Sequence, residues 1–176
     1  MRTRTFALVG LLAGIAVAAQ ARPDPDISYM PFASSDGRYK VLFPGPVKTE
    51  TTDVKAGTGS LKLTLDSVQP TEGVVFMVTY LDTPDDVAKA PPGPRLDKVR
   101  DGNKGTDGKL LSEKEITVGV EKYPGRDLLI EKPAAVIRNR VVIAGNRLYQ
   151  VMIQGPKELI TSKTADRFFD SFEVTK

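Results

Sequence analysis

The sequence predicts an α+β fold in which helices pack on an antiparallel β-sheet. Three observations carry this prediction. Strand patterns outnumber helical patterns along the chain. Most strand patterns are consecutive, which favours hairpin pairing. The helical patterns occur only in the middle and at the end, which is the segregated layer arrangement typical of α+β domains.

The first half of the chain contains four strand patterns. Residues 47–54 alternate polar side chains and predict an edge strand, whereas residues 61–65 alternate Leu with polar residues and predict a half-buried strand. Residues 74–81 are apolar on both faces, which is typical of a central strand. The four patterns are residues 39–43, which end at Pro44-Gly45-Pro46, and residues 47–54, 61–65 and 74–81.

The middle of the chain changes character. Residues 84–89 can form one helical turn, because proline is accepted at the first helical position. The prolines of residues 91–94 end that turn, and Leu96 with Val99 predicts a short amphipathic helix over residues 94–103. Residues 102–108 then read as a glycine-rich loop.

The second half predicts strands over residues 109–118 and 127–131, separated by a turn at residues 123–126. Residues 136–143 and 147–153 follow as the clearest hairpin. A three-residue loop, residues 144–146, places Arg138 and Arg140 on the face opposite Val151 and Ile153, so this loop is expected. The final helix is predicted by one apolar stripe and begins near Thr161 or Ser162. The stripe consists of Ala165, Phe168, Phe169 and Phe172.

The first 21 residues have the order of a cleavable secretory signal peptide. Arg2 and Arg4 precede an apolar or Gly run over residues 6–19, and Ala19-Gln20-Ala21 is a small-x-small cleavage site. The run is shorter than the roughly 20 residues of a membrane span, so no span is expected after cleavage. We therefore expect a signal peptide at 1–21, an extended segment at 22–35, and a single α+β domain at 36–176 in the periplasm or outside the cell.

Composition restricts the chemistry of the predicted domain. The chain contains neither His nor Cys. This absence excludes Ser-His-Asp and Cys-His catalysis, His- or Cys-based zinc sites, and haem or iron–sulfur ligation through these residues. Removing Arg2 and Arg4 with the signal leaves 23 of the 25 basic residues against 22 acidic ones, a net charge of +1. So small a charge gives no general attraction to nucleic acid or anionic membrane.

Arg138, Arg140 and Arg147 are the candidate contact residues for an anion or a partner. The alternative is an exposed strand face kept charged against edge association. No interleaved aromatic residues accompany them, so nucleic acid is not expected. Glu113 and Glu115 point to one strand face and could serve a carboxylate-dependent glycan hydrolase, although solvated strand faces often look the same.

No cofactor is expected. The loop over residues 101–107 departs from the EF-hand pattern at three of its positions. It also lacks the glycine and the Ser or Thr that a phosphate-binding loop requires.

Four short motifs are spread through the predicted domain. They are Phe43-Pro44-Gly45-Pro46, Tyr123-Pro124-Gly125-Arg126-Asp127, Asn146-Arg147-Leu148-Tyr149 and Phe168-Phe169-Asp170-Ser171-Phe172. Together they resemble uncharacterised secreted bacterial domains of the PsbP-like and LpqN-type superfamily. The resemblance covers roughly residues 36–175 and implies an α/β/α sandwich around an antiparallel sheet. It also implies a non-enzymatic partner or assembly role, and it assigns no functional residue.

The sequence thus favours a non-catalytic binding or accessory module of the cell envelope, whose partner is a protein or another envelope component. Two alternatives stay open at this point. One is an envelope protein that binds an anionic polymer, and the other is a carboxylate-dependent glycan-active hydrolase.

Overall fold

The computed structural model describes residues 28–56 and 59–176. The predicted signal peptide at 1–21, and residues 22–27 of the predicted extended segment, lie outside this part. The described part contains ten strands and four helices. The strands are β1 (Met30–Ser34), β2 (Tyr39–Phe43), β3 (Lys48–Ala56), β4 (Gly59–Thr71), β5 (Val74–Asp82), β6 (Lys109–Val118), β7 (Tyr123–Lys132), β8 (Ala135–Ala144), β9 (Arg147–Gly155) and β10 (Glu173–Val174). The helices are α1 (Asp85–Ala88), α2 (Pro92–Lys104), α3 (Lys157–Ile160) and α4 (Lys163–Asp170).

Seven strands form one antiparallel sheet in the order β3-β4-β5-β9-β8-β7-β6. β5 lies inside this sheet and β3 at its edge, as the residue patterns predict. A second sheet has the order β1-β2-β10, so β1 arises within the segment predicted to be extended. The α+β prediction is confirmed, with α2 on one face of the large sheet and α4 on the other.

The two faces are filled by different sets of side chains. The face under α4 and the small sheet holds an aromatic cluster in which Phe168 contacts Phe43, Phe76 and Phe169 with ring centroids 5.2–5.5 Å apart. The face under α2 holds a smaller aliphatic cluster. The buried members of this second cluster are Leu96, Leu128, Ile130, Val141 and Ile143.

The last helix follows its predicted stripe. Ala165, Phe168 and Phe169 are buried, and Phe172 just beyond the helix is buried as well. The Ser162 hydroxyl accepts a hydrogen bond from the backbone N–H of Ala165, which is the expected capping arrangement. Among the described residues, none of the helices has the length and hydrophobicity of a transmembrane segment.

The hairpin between β8 and β9 has a two-residue loop, and the three-residue loop predicted from the sequence is wrong. Ala144 pairs with Arg147, and Gly145 has φ of 65°, which suits the first position of such a tight turn. Arg138 and Arg140 therefore share the face of Val151 and Ile153. The prediction failed because it treated the arginine face as exposed, whereas α4 covers this face and supplies partners for the arginines.

Two boundaries in the middle of the chain also differ from prediction. Residues 123–126, expected to form a turn, are the first residues of β7. The turn lies earlier, at residues 119–122, where Gly119 and Lys122 both have positive φ. Likewise α2 extends through Lys104, so the first half of the predicted glycine-rich loop is helical.

β4 turns its polar residues toward the core, contrary to the simple interpretation of its leucines. Thr64, Asp66 and Val68 are buried, while Leu61 and Leu65 are only half-buried. The reason is the environment of Asp66, which accepts hydrogen bonds from the hydroxyl groups of Tyr39 and Thr49, each at 2.5 Å. These bonds satisfy a buried carboxylate that would otherwise be costly.

Candidate functional site

Arg138 and Arg140 lie together beneath α4. Both guanidinium groups bind the carboxylate of Asp127, at 2.9 and 3.3 Å, and Arg138 also binds Asp166 at 2.7 Å. The two arginines cover the Phe169 ring, with their guanidinium carbons 4.4 and 5.4 Å from its centroid. Their positive charges are therefore already compensated by carboxylates and by the face of an aromatic ring.

The surroundings of Arg138 favour its charged state. Burial opposes the charge on Arg138, but hydrogen bonds to Asp127 and Asp166 and the charges of these carboxylates outweigh burial and raise the pKa of Arg138. Arg140 additionally donates to the backbone carbonyl of Phe169 at 2.8 Å. These contacts fix α4 against β7 and β8.

Arg147 lies apart from the other two predicted contact residues. Its guanidinium group binds both carboxylate oxygens of Asp82, at 2.7 and 2.6 Å, and it also donates to the backbone carbonyl of Asp36. The hydrogen bond from Arg147 holds the pKa of Asp82 below its usual value. The structure thus brings Arg138 and Arg140 together but not Arg147, and an anion-binding role for the three stays a prediction.

Glu113 belongs to an ion cluster between α2 and the sheet. A single nitrogen of Arg126, Nη1, donates to Glu113 at 2.5 Å and to Asp97 at 2.6 Å. Arg100 contacts the same two carboxylates at 3.1–3.5 Å, while Glu115 is exposed. Two carboxylates therefore do meet here, but an arginine lies between them.

A cleft of about 380 Å³ lies between α1, α2 and the β8–β9 hairpin. Most of its wall is apolar, and Val87 on α1 stays 42% exposed there. The apolar residues that line it are Val87, Ala90, Pro94, Val99, Ile143 and Leu148. A mainly apolar recess with a few polar groups is the usual form of a ligand site.

Arg95 is the charged residue that sets this cleft apart. It lines the cleft although only 8% of its surface is exposed. Its guanidinium group donates to the carbonyls of Ala88 and Gly145, both at 3.4 Å, and to the Thr83 hydroxyl at 3.2 Å. Burial lowers the pKa of Arg95, and all three of its acceptors are uncharged.

The sequence analysis missed Arg95. It stands next to Leu96 in the predicted helix, where an arginine flanking an apolar stripe normally reaches solvent. Its burial results from the hairpin turn at Gly145, which folds over it from a part of the chain 50 residues away. No local pattern carries that information.

The arginines that line two other recesses are already paired with carboxylates. One of about 380 Å³ lies beside the start of α2 and includes Arg126, whose partners are Asp97 and Glu113. Another of about 440 Å³ includes Arg147 with its partner Asp82. Within the described ranges, no group of three or more acidic residues is placed to hold a metal ion.

Comparison with known proteins defines the class of fold. No protein-family model matches the chain, and no curated protein sequence is significantly similar to it. The solution structure of cyanobacterial PsbP, CyanoP, from Synechocystis sp. PCC 6803 superposes with a TM-score of 0.52 at 13% identity, over 88% of this chain and 96% of that one. The chain therefore has a PsbP-like fold, as the resemblance implies.

A second solved structure is also similar over much of its length. It is the crystal structure of PA94 from Pseudomonas aeruginosa, a protein of unknown function described as a putative regulator. The TM-score is 0.42 at 9% identity, covering 78% of this chain and 90% of that chain. The likeness to LpqN-type proteins stays a prediction.

Proposed function

We propose that the protein is an exported, non-catalytic binding module of the cell envelope, and that the cleft between α1, α2 and the β8–β9 hairpin is its binding surface. The observation that carries this proposal is the apolar wall of the cleft, with Val87 left 42% exposed beside a buried arginine. The PsbP-like fold supports the proposal, because the resemblance to that superfamily implies an accessory role rather than catalysis.

The charged groups of the described residues also favour binding over catalysis. A glycan hydrolase needs two carboxyl groups that face the substrate across a gap. Glu113 and Asp97 instead both face the Nη1 of Arg126. A carboxylate-dependent hydrolase is therefore the weaker interpretation of this cluster.

Binding of an anionic polymer by Arg138, Arg140 and Arg147 is a second proposal with less support. Such a polymer would have to displace Asp166, which is half-exposed, or compete with Asp127 and Asp82. Polymer binding through these arginines would weaken steeply with salt, and this dependence separates the two proposals.

Export rests on the signal-like order of residues 1–21. We propose that the cell removes this segment, so that the mature chain begins at Arg22 and its single domain includes β1 as well as residues 36–176. The intact mass of the protein recovered from the envelope fraction tests this directly. A mass that retains residues 1–21 contradicts cleavage.

The binding surface can be tested by photo-crosslinking in the source cell. A photo-reactive phenylalanine analogue replaces Val87 in the cleft, and in a matched control it replaces Val120, which is 97% exposed in the turn between β6 and β7 and does not line the cleft. We expect a discrete mass gain on the purified chain from position 87 and none from position 120. Equal labelling from both positions, or none from position 87, would contradict the proposal.

A further inference from the structure

Arg95 is an exception among the arginines that the fold shields from water. Five others have side chains no more than 25% exposed, and each contacts at least one carboxylate. Within residues 28–56 and 59–176, no carboxylate pairs with Arg95. The five paired arginines are Arg100, Arg126, Arg138, Arg140 and Arg147.

The hydrogen bonds of Arg95 do not replace an ion pair. Charge-assisted bonds from arginine to carboxylate are about 2.7–2.9 Å long, and Arg147 reaches this range with Asp82. The bonds of Arg95 are 3.2–3.4 Å long and end on uncharged oxygens. A buried charge without a counter-charge is costly, so the site is suited to an anion from outside the chain.

The surroundings of Arg95 define which anion fits. The cleft volume of about 380 Å³ falls within the range of small-molecule sites, about 300–1,000 Å³. Its walls are mainly aliphatic, and the other charged residues that line it are Lys98 and Asp86, whose charges cancel. Arg95 thus supplies one net positive charge beside an apolar surface.

We propose that this cleft binds a small apolar carboxylic acid, whose carboxylate pairs with the guanidinium group of Arg95 and whose hydrocarbon part packs beside Val87, Ile143 and Leu148. This inference rests on the proposed binding function and names its ligand class. The planar guanidinium fork matches one carboxylate. A single net charge suits a monoanion better than a phosphate monoester, which carries about 1.5–2 negative charges at pH 7. Such an acid carries both features that the cleft recognises.

Calorimetric titration of the purified exported protein tests the ligand class with two probes that share one hydrocarbon chain. Decanoate carries the carboxylate and decanol does not. We expect decanoate to bind with one-to-one stoichiometry and decanol to bind at least tenfold more weakly. Arg95→Met is expected to weaken decanoate binding at least tenfold and to remove the difference between the probes.

A matched control separates the site from the overall charge. Lys163→Met removes one positive charge from an exposed position at the start of α4, far along the chain from the cleft. Decanoate binding by this variant should equal that of the unmodified protein. If Lys163→Met weakens binding as much as Arg95→Met does, the proposed pairing is overturned.

Arg95→Met could also disturb folding, because the guanidinium group joins α1 to the hairpin turn. Val87→Glu is therefore the second variant, since Val87 is 42% exposed and its replacement places a carboxylate at the cleft. We expect at least a fivefold loss of decanoate affinity without a change in Tm. Unchanged binding in this variant, or no binding of decanoate to the unmodified protein, overturns the inference.

The two proposals fail in distinguishable ways. A discrete crosslink at position 87 without decanoate binding overturns the acid as ligand class and leaves the binding function in place. The absence of both signals overturns both proposals.

Discussion

The two faces of the seven-stranded sheet are covered to very different degrees. The face under α4 and the small sheet is filled by an aromatic cluster, and its arginines are paired with carboxylates. The face under α2 has a five-residue buried cluster, and α2 residues border two recesses of about 380 Å³ each. A recess of about 440 Å³ also lies on the aromatic face, but its arginine, Arg147, is paired with Asp82. The two faces therefore differ in the size of their buried clusters and in whether every shielded arginine has a carboxylate partner.

The arginines show the same difference. Arg138 and Arg140 under α4 look like a basic patch in the sequence, but in the fold their charges are neutralised by a carboxylate. Arg95 on α2 gives no signal in the sequence, yet it is a buried arginine without an acidic partner among the described residues. The density of arginines in the sequence therefore does not reveal which of them lacks a counter-charge in the fold.

The largest expected effect comes from the filled face. Phe168 is fully buried among three rings, so Phe168→Ala should lower the free energy of unfolding by about 4 kcal/mol. Leu96→Ala under α2 should cost only about 2 kcal/mol, because a smaller cluster beside a recess can relax. Urea unfolding of the two variants measures the difference, and equal losses would break the distinction between the faces.

The next effect concerns the arginine pair. Asp127→Ala leaves Arg138 and Arg140 without their shared carboxylate, and we expect a loss of about 3 kcal/mol. Asp166→Ala is the matched control, since this carboxylate is half-exposed and its removal should cost below about 1 kcal/mol. Thermal unfolding of both variants decides the matter. A small loss for Asp127→Ala would mean that α4 does not shield the pair from water.

The smallest effect is a pH dependence on the filled face. Burial, followed by the hydrogen bond to Asp66 and its charge, raises the pKa of Tyr39 far above its usual value. An unfolded tyrosine loses its proton near pH 10, whereas folded Tyr39 keeps its proton. Its contribution is therefore fully present below about pH 10 and declines above it, by about 1.4 kcal/mol per pH unit.

Tyr39→Phe tests this dependence. At pH 8 the variant should lose about 1–2 kcal/mol, because Asp66 is buried and keeps only the hydrogen bond from Thr49. Above pH 10 its stability should fall less steeply than that of the unmodified protein. Urea unfolding between pH 8 and 11 compares the slopes, and identical slopes would show that water reaches Tyr39.

Much of the fold could be predicted from the sequence because its signals are local. The stripe of Ala165, Phe168 and Phe169 predicts α4 and its buried face, and apolar residues on both sides of residues 74–81 predict a central strand. The predicted register of the β8–β9 hairpin was wrong because it depends on which element covers the strand face. The prediction assumed that Arg138 and Arg140 are exposed. In the structure, Phe169 and Asp166 of α4 make the covered face favourable for them.

The candidate site could not be predicted in the same way. Periodicity tells which side of an element is apolar, but it does not tell which distant segment lies above a polar residue. Asp66 is buried because Tyr39 and Thr49 approach it, and Arg95 is buried because the turn at Gly145 lies over it. Both facts depend on contacts between residues that are well separated in the chain.

The sequence by itself determined the α+β class, the places of the central strand and the final helix, and the absence of His and Cys chemistry, since composition and side-chain periodicity are properties of the chain. Only the tertiary structure decided which charges have partners. Arg138, Arg140 and Arg147 are neutralised by carboxylates that folding brings to them, while Arg95 is shielded from water without one. The physical reason is that the energy of a charge depends on burial and on counter-charges, and both are set by long-range packing.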